Sequence, residues 1–114
     1  MSDEKIFGIY IMGNDRPTLY VGVTNNLIRR IWEHKNNKGG AFTQKYKLNK
    51  LLYYEFTETP YQSIIREKQI KNMTRKGKLE LIKNKNPRLF DISGEIFSLC
   101  ETNPDELFRD TQYF

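Results

Sequence analysis

Tyr10 and Tyr20 sit in two short apolar runs of the stretch GIYIMGNDRPTLYVG, and each run also carries a glycine. On a wheel of about 100° per residue, the segment from Asn26 buries Leu27, Ile28 and Ile31. Arg30 and His34 then lie one turn apart along one border of that stripe, while Arg29 points to solvent. A tyrosine of the preceding runs can meet them there. An arginine keeps its proton and suits charge that builds up on a phosphate, and the chain's single histidine can donate to or accept from a reacting oxygen. Edge ion pairing of Arg30 with Glu33 or Glu58, and a merely packed His34, are the plainer alternatives.

A further candidate lies in PYQSIIREKQIKNM, where Ile64, Ile65, Ile70 and Met73 make no clean stripe and Lys68 falls between isoleucines. That mismatch suits a polar-lined cleft. Glu67 is a lone carboxylate in a basic field. It can pair with Lys71 at i+4, or it can hold a divalent cation, because Mg²⁺ takes one or two protein carboxylates and completes its shell with water and substrate phosphate. A metal, an arginine and a base are sufficient for phosphodiester hydrolysis.

The elements that must carry these groups can be read along the chain. Ile6–Met12 and Thr18–Val23 are β-prone runs joined by the turn chemistry of GNDRP, which predicts an antiparallel hairpin with a loop of about five residues. Thr24 or Asn25 can cap the helix that follows, and NNKGG at 36–40 stops it. NKLLYYEF at 49–56 reads as a third strand. Thr59 and Pro60 supply an N-cap and a first helical position for a helix to about Asn72, and Thr74 opens another that ends before Asn86-Pro87. The predicted order is β-β-α-β-α-α, an α+β fold with a three-stranded antiparallel sheet flanked by helices. Residues 1–92 form the expected domain. Residues 93–114 form an acidic tail, with a short helix from Asn103-Pro104.

At 114 residues with seven Phe and seven Tyr, the chain supplies one modest core. Its net charge of +5 divides unevenly: residues 1–90 carry +10 and residues 91–114 carry −5. A basic body attracts polyanions, so nucleic acid is the expected partner, with a merely solvated surface as the alternative. One cysteine allows no internal disulfide, the N-terminus lacks a signal-peptide pattern, and no apolar run approaches the roughly 18 residues of a membrane span. A reducing, cytoplasmic location without membrane association is expected. EIFSLC and ELFRDTQYF are rather apolar for a terminus, which suits a homodimer through the tail, or a tail that covers the basic groove as a DNA mimic.

The ordered set resembles the GIY-YIG nuclease domain over roughly residues 6–92, in its small stand-alone bacterial type, similar to the N-terminal domain of the nuclease component of the excinuclease. GIY stands at 8–10, the second triplet is YVG at 20–22, TNNLIRRIWEH carries Arg30 and His34 at the family's spacing, REKQIK carries Glu67, and KNP carries Asn86. The resemblance implies a Mg²⁺- or Mn²⁺-dependent endonuclease acting on DNA, in repair or recombination. Tyr10 is then the leading general base, Tyr20 and His34 orient the nucleophile or relay its proton, Arg30 neutralises developing charge, and Glu67 holds one metal. Arg30 and the metal would favour the Tyr10 phenolate. Arg29, Lys35, Lys68, Lys71, Arg75, Lys76 and Asn86 would grip nucleic acid. Val23 stands where some members carry a lysine, and there is no appended recognition module. Structure-selective or weakly specific cleavage follows, with a non-catalytic binding module of the same fold as the alternative.

Overall fold

The computed structural model describes residues 6–100 and 103–108. Three strands, β1 (Phe7–Gly13), β2 (Leu19–Thr24) and β3 (Lys50–Thr57), form one antiparallel sheet in the order β2-β1-β3. Six helices surround it: α1 (Leu27–Lys35), α2 (Ala41–Lys45), α3 (Pro60–Lys71), α4 (Arg75–Lys85), α5 (Ser93–Phe97) and α6 (Pro104–Phe108). The predicted α+β sheet and its helices are present. The sequence reading missed α2 and α5, each only five residues long, and so too short to show a helical period.

Local chemistry explains most boundaries. In the hairpin, the Asn14 side-chain oxygen accepts from the amides of Arg16 at 3.0 Å and Thr18 at 2.7 Å, which turns the chain. The cap of α1 is Asn26, not Thr24 or Asn25; its side chain accepts from Arg29 N at 3.1 Å, while Thr24 Oγ1 supports it by accepting from Asn26 N. Thr59 and Thr74 cap α3 and α4 as expected, accepting from Gln62 N and Gly77 N.

The sheet separates two apolar layers, as strand alternation requires. Ile9, Ile11, Val21, Leu52 and Tyr53 pack with Ile70 of α3 and Ile82 of α4. Tyr10, Met12 and Leu51 pack on the opposite side with Leu27 and Ile31 of α1, Leu48, and Ile96 of α5. The hairpin register pairs Tyr10 with Gly22 and Met12 with Tyr20. Both tyrosines therefore stand on the face that carries α1.

The exposed edge of β3 is covered by the segment that leaves α4. Asp91 Oδ1 accepts from Leu51 N at 3.1 Å, beside the shift in register between Ile11 and Met12, and Ile92 N donates to Leu51 O at 2.8 Å. Asn86 closes the same edge: its Nδ2 donates to Leu52 O at 3.1 Å and Phe90 O at 2.8 Å, and its Oδ1 accepts from Phe90 N. Edge backbone that would otherwise lack partners is satisfied in this way.

The boundary drawn at residue 92 runs through a single packed cluster, since Ile92 and Ile96 both join the layer that contains Tyr10. Phe108 is buried against Trp32, whose Nε1 donates to Asp105 Oδ1 at 2.8 Å. Two acids of the tail, Glu95 and Asp105, thus bond Tyr54 and Trp32 rather than the basic helices. The last part of ELFRDTQYF, residues 109–114, lies outside the described residues. Because Ile96 is fully buried, Ile96→Ala should lower unfolding free energy by about 2–5 kcal/mol, read as a shift in urea midpoint at constant slope. A change below about 0.5 kcal/mol, as at a surface position, would show that α5 is dispensable.

Candidate active site

The site grows from one missing side chain. A Cβ at Gly22 would lie 2.3 Å from Cζ and 2.4 Å from the hydroxyl oxygen of Tyr10. The glycine therefore lets the Tyr10 ring lie across β2, with its hydroxyl under α1. There the guanidinium Nε of Arg30 donates to the Tyr10 oxygen at 3.2 Å, and Nε2 of His34 stands 3.1 Å from the same oxygen. The Tyr20 ring closes the group, its centroid 6.2 Å from Tyr10 and 6.0 Å from His34. Four of the five candidate catalytic residues are thus brought together.

Their protonation follows from burial. Tyr10 is about 1% exposed, and removal from water pushes its pKa up to about 12 even though Arg30 pulls it down. Burial, with the charge of Arg30 acting in the same direction, lowers His34 to about 4. Arg30 stays charged: burial works against it, but its bond to Tyr10 and its pairing with Glu33, Nη1 to Oε1 at 2.9 Å, hold its pKa above the usual value. At neutral pH the group is a neutral phenol and a neutral imidazole beside a balanced guanidinium. The direction of the Tyr10–His34 bond is set by the imidazole tautomer: Nε2 accepts the phenol's proton when Nδ1 carries the ring hydrogen, and Nδ1 itself is buried with no hydrogen-bond partner among the described residues. At Tyr10 desolvation outweighs the nearby cation, so Arg30 alone does not favour the phenolate. The expected ion pair of Arg30 forms with Glu33.

Glu67 comes from the other layer. Ser63, Glu67 and Ile70 occupy i, i+4 and i+7 of α3; Ser63 and Ile70 are buried, and the Glu67 side chain is 14% exposed. Ile64 and Ile65 point outward instead, at 44% and 40% exposure. The irregular apolar pattern of this helix arises because a carboxylate stands at a covered position. The observed partner of Glu67 is Lys71 Nζ, 3.0 Å from Oε2, and no described contact joins Glu67 to Tyr10 or Arg30. Among the described residues no group of three or more His, Cys, Asp and Glu could hold a metal ion. A single largely covered carboxylate matches the donor set that Mg²⁺ uses when water and phosphate supply the rest.

The residues expected to grip nucleic acid divide sharply. Asn86 is buried and its amide is fully engaged with backbone, so it is a structural residue and unable to reach a ligand. Lys35 pairs with Asp91 and donates to Asn49 O, Lys71 pairs with Glu67, and Arg75 donates to Pro17 O at 2.6 Å. Arg29 leans on Glu33 at 3.5 Å. Lys68 and Lys76 remain exposed. Sequence reasoning missed Phe42, whose ring centroid lies 6.2 Å from Tyr20.

The family model described as the GIY-YIG catalytic domain matches residues 6–80. The chain belongs to the GIY-YIG family. Among similar proteins, a UPF0213 protein of Clostridium perfringens is 41% identical over 78 residues, covering 68% of this chain and 84% of that protein. A UPF0213 protein of Syntrophus aciditrophicus is 38% identical over 82 residues, covering 71% and 94%. No solved structure matches. The two triplets that name the GIY-YIG family are here the strands that carry Tyr10 and Tyr20, and no helix among the described residues is long and apolar enough to cross a membrane.

Burial of His34 carries a sign that can be checked. A histidine whose folded pKa lies below its unfolded value stabilises the fold fully above the unfolded pKa of about 6.5, and that stability is lost as pH falls toward about 4. Between pH 7 and pH 5 the unfolding free energy should therefore drop by about 2 kcal/mol from this group. Urea titrations at the two pH values should show that drop in the wild type, and His34→Gln should remove it.

Proposed function

We propose that this protein is a divalent-metal-dependent endonuclease that hydrolyses phosphodiester bonds in DNA. The observation that carries the reading is the convergence of Arg30 Nε and His34 Nε2 on the Tyr10 hydroxyl, with Tyr20 alongside. Structural packing alone does not require a buried phenol to face both a guanidinium and an imidazole.

A phenol with a pKa of about 12 cannot stand by as phenolate near neutrality, so the proposed proton path is a relay. A water on the outer side of the Tyr10 oxygen gives its proton to that oxygen as it attacks phosphorus, while the phenol's own proton passes to His34 Nε2. His34 is suited to be a brief carrier, because burial disfavours the imidazolium and returns the proton quickly. Arg30, kept charged and positioned by Glu33, faces the phosphate oxygens that gain charge. Glu67 would hold the Mg²⁺ or Mn²⁺, whose chemistry is to stabilise the leaving oxygen. The support for Glu67 is its covered position on α3, the helix that packs against the edge strand β2 that carries Tyr20. The exposed cations hold backbone phosphate rather than bases, which suits structure-selective or weakly specific cleavage in repair or recombination.

The second reading is a nucleic-acid-binding module that keeps the fold without turnover, and the near-complete burial of Tyr10 favours it. Nicking of supercoiled plasmid and of branched and single-stranded DNA in Mg²⁺ or Mn²⁺ separates the two. Wild type should nick; Tyr10→Phe and Glu67→Ala should fall to background, and Arg30→Ala should lose about 100-fold or more, all with unchanged thermal midpoints within a few degrees. Equal residual nicking by wild type and Glu67→Ala would overturn the enzyme reading.

A further inference from the structure

We propose that the exposed rings of α2 and the basic cavity beside them form a track for an unpaired DNA strand leading to Tyr20. This rests on the nuclease reading and names the form of substrate that it takes.

Three observations on one side of the molecule carry the proposal. The aromatic contacts of the site do not stop at Tyr20. Phe42 follows with its centroid 6.2 Å away, tilted by 32°, and Tyr46 follows Phe42 at 4.8 Å. These two rings are 47% and 42% exposed, on and just after a five-residue helix that buries only Thr43. They stay on the surface at the cost of unfavourable hydration of their faces.

Beside Tyr46 lies a cavity of about 570 Å³ between the hairpin tip, α2 and the start of β3. That volume falls inside the roughly 300–1,000 Å³ range of ligand pockets. Arg16, Lys45, Lys47 and Lys50 line it, with Asp15 as its one acid. Asp15 pairs with Lys50, and no described carboxylate pairs with the other three. Lys45 also stands over the Tyr46 ring, 5.4 Å from its centroid.

The wall is built rather than loose. Asn14 anchors both sides: its Nδ2 donates to Tyr46 O at 2.9 Å while its Oδ1 shapes the hairpin turn. Lys47, at φ 55, turns the chain from α2 towards β3.

Alternating aromatic faces and cations suit bases that are free to stack and the phosphates between them. A duplex offers its phosphates to the cations but keeps its bases stacked inside, so it has nothing to lay on Phe42 and Tyr46. The predicted discrimination is therefore between unpaired and paired strands.

Fluorescence anisotropy with labelled dT20, labelled rU20 and a 20-base-pair duplex tests this in EDTA, where binding is read without cleavage. Phe42→Ala/Tyr46→Ala should weaken dT20 binding about tenfold or more and change duplex binding by less than twofold. Tyr46→Phe should retain dT20 affinity, because it keeps the ring. Lys45→Ala/Lys47→Ala should weaken both DNA forms and flatten the salt dependence by about one to two in slope. Phe42, Lys45, Tyr46 and Lys47 are all exposed, and matched circular dichroism and thermal midpoints confirm folding of each variant.

With the double ring variant, loss of dT20 and duplex affinity in parallel, or no loss at all, would overturn the track. Tighter binding of rU20 than dT20 would overturn its assignment to DNA. A ring-dependent preference for dT20 in a wild type that never nicks would leave the track standing and remove the nuclease reading, whereas nicking without that preference would do the reverse.

Discussion

The Tyr10 ring occupies the space that any side chain at position 22 would fill, and the rest of the site is built outward from that seat. Because the ring leans across β2, its hydroxyl reaches past the sheet to the face that α1 covers. A second glycine sets the helix: a Cβ at Gly8 would meet Leu27 Cδ1 at 2.6 Å and Glu55 O at 2.2 Å. With no side chain there, Leu27 settles against the sheet and Leu27 N donates to Ile6 O at 3.0 Å. One turn further on, Arg30 and His34 then fall over the phenol. Two absent side chains fix ring and helix separately, and the hydrogen bonds between them follow.

Within that seat, burial and charge act in opposite directions and burial prevails. It raises the phenol and lowers the imidazole, so the two titrate far from the neutral range and remain uncharged together. Arg30 would be costly to enclose alone, but Glu33 on the same helix balances it and is itself shared with Arg29. The opposite face holds a comparable network with a different character. There Arg66 grips Glu55 through Nε and Nη2, Tyr53 donates to Glu55, and Glu55 is held below the usual carboxylate range although burial opposes this. That network ties α3 to β3. Its phenol is bonded to a carboxylate rather than an imidazole, so it has no neutral acceptor to relay a proton.

Features set by local chemistry were legible in the sequence. Thr59, Pro60 and Thr74 mark helix starts through their own side chains, and strand alternation put Tyr10 and Tyr20 on definable faces before their register was known. The spacing of Arg30 and His34 placed both beside the sheet. The misses share a physical cause, which is distance along the chain. Asn86 looked like a ligand-facing residue because nothing near it shows that Leu52, 34 residues earlier, needs its amide. Lys35 looked free because Asp91 lies 56 residues away. The helix α2 escaped because five residues flanked by Gly40 and Tyr46 carry no period to detect. Glu67 could be singled out as an isolated acid, but its covered position follows only from the way Ser63 and Ile70 dock α3.

Internal pairing changes what the positive charge of this chain means. Many cations that appear as a basic body are matched within the fold: Arg30 and Arg29 by Glu33, Lys35 by Asp91, Lys50 by Asp15, Arg66 by Glu55, and Lys71 by Glu67. Apart from the Arg29–Arg30–Glu33 group, which keeps one net positive charge, such pairs contribute little at long range, because each is nearly neutral beyond the roughly 8–10 Å over which salt screens a surface charge. Attraction for a polyanion is therefore concentrated where lysines and arginines lack an acid, around the hairpin tip and α2 and on the outer faces of α3 and α4. The Tyr10 phenol is enclosed and β2 is an edge strand of the sheet, with α1 on one layer and α3 on the other. On the proposed function, a phosphate chain running along that edge would meet groups from both layers. On the proposed nucleic-acid reading, the local concentration of charge at its hairpin end, more than the net charge of the whole molecule, would set where such a chain first engages.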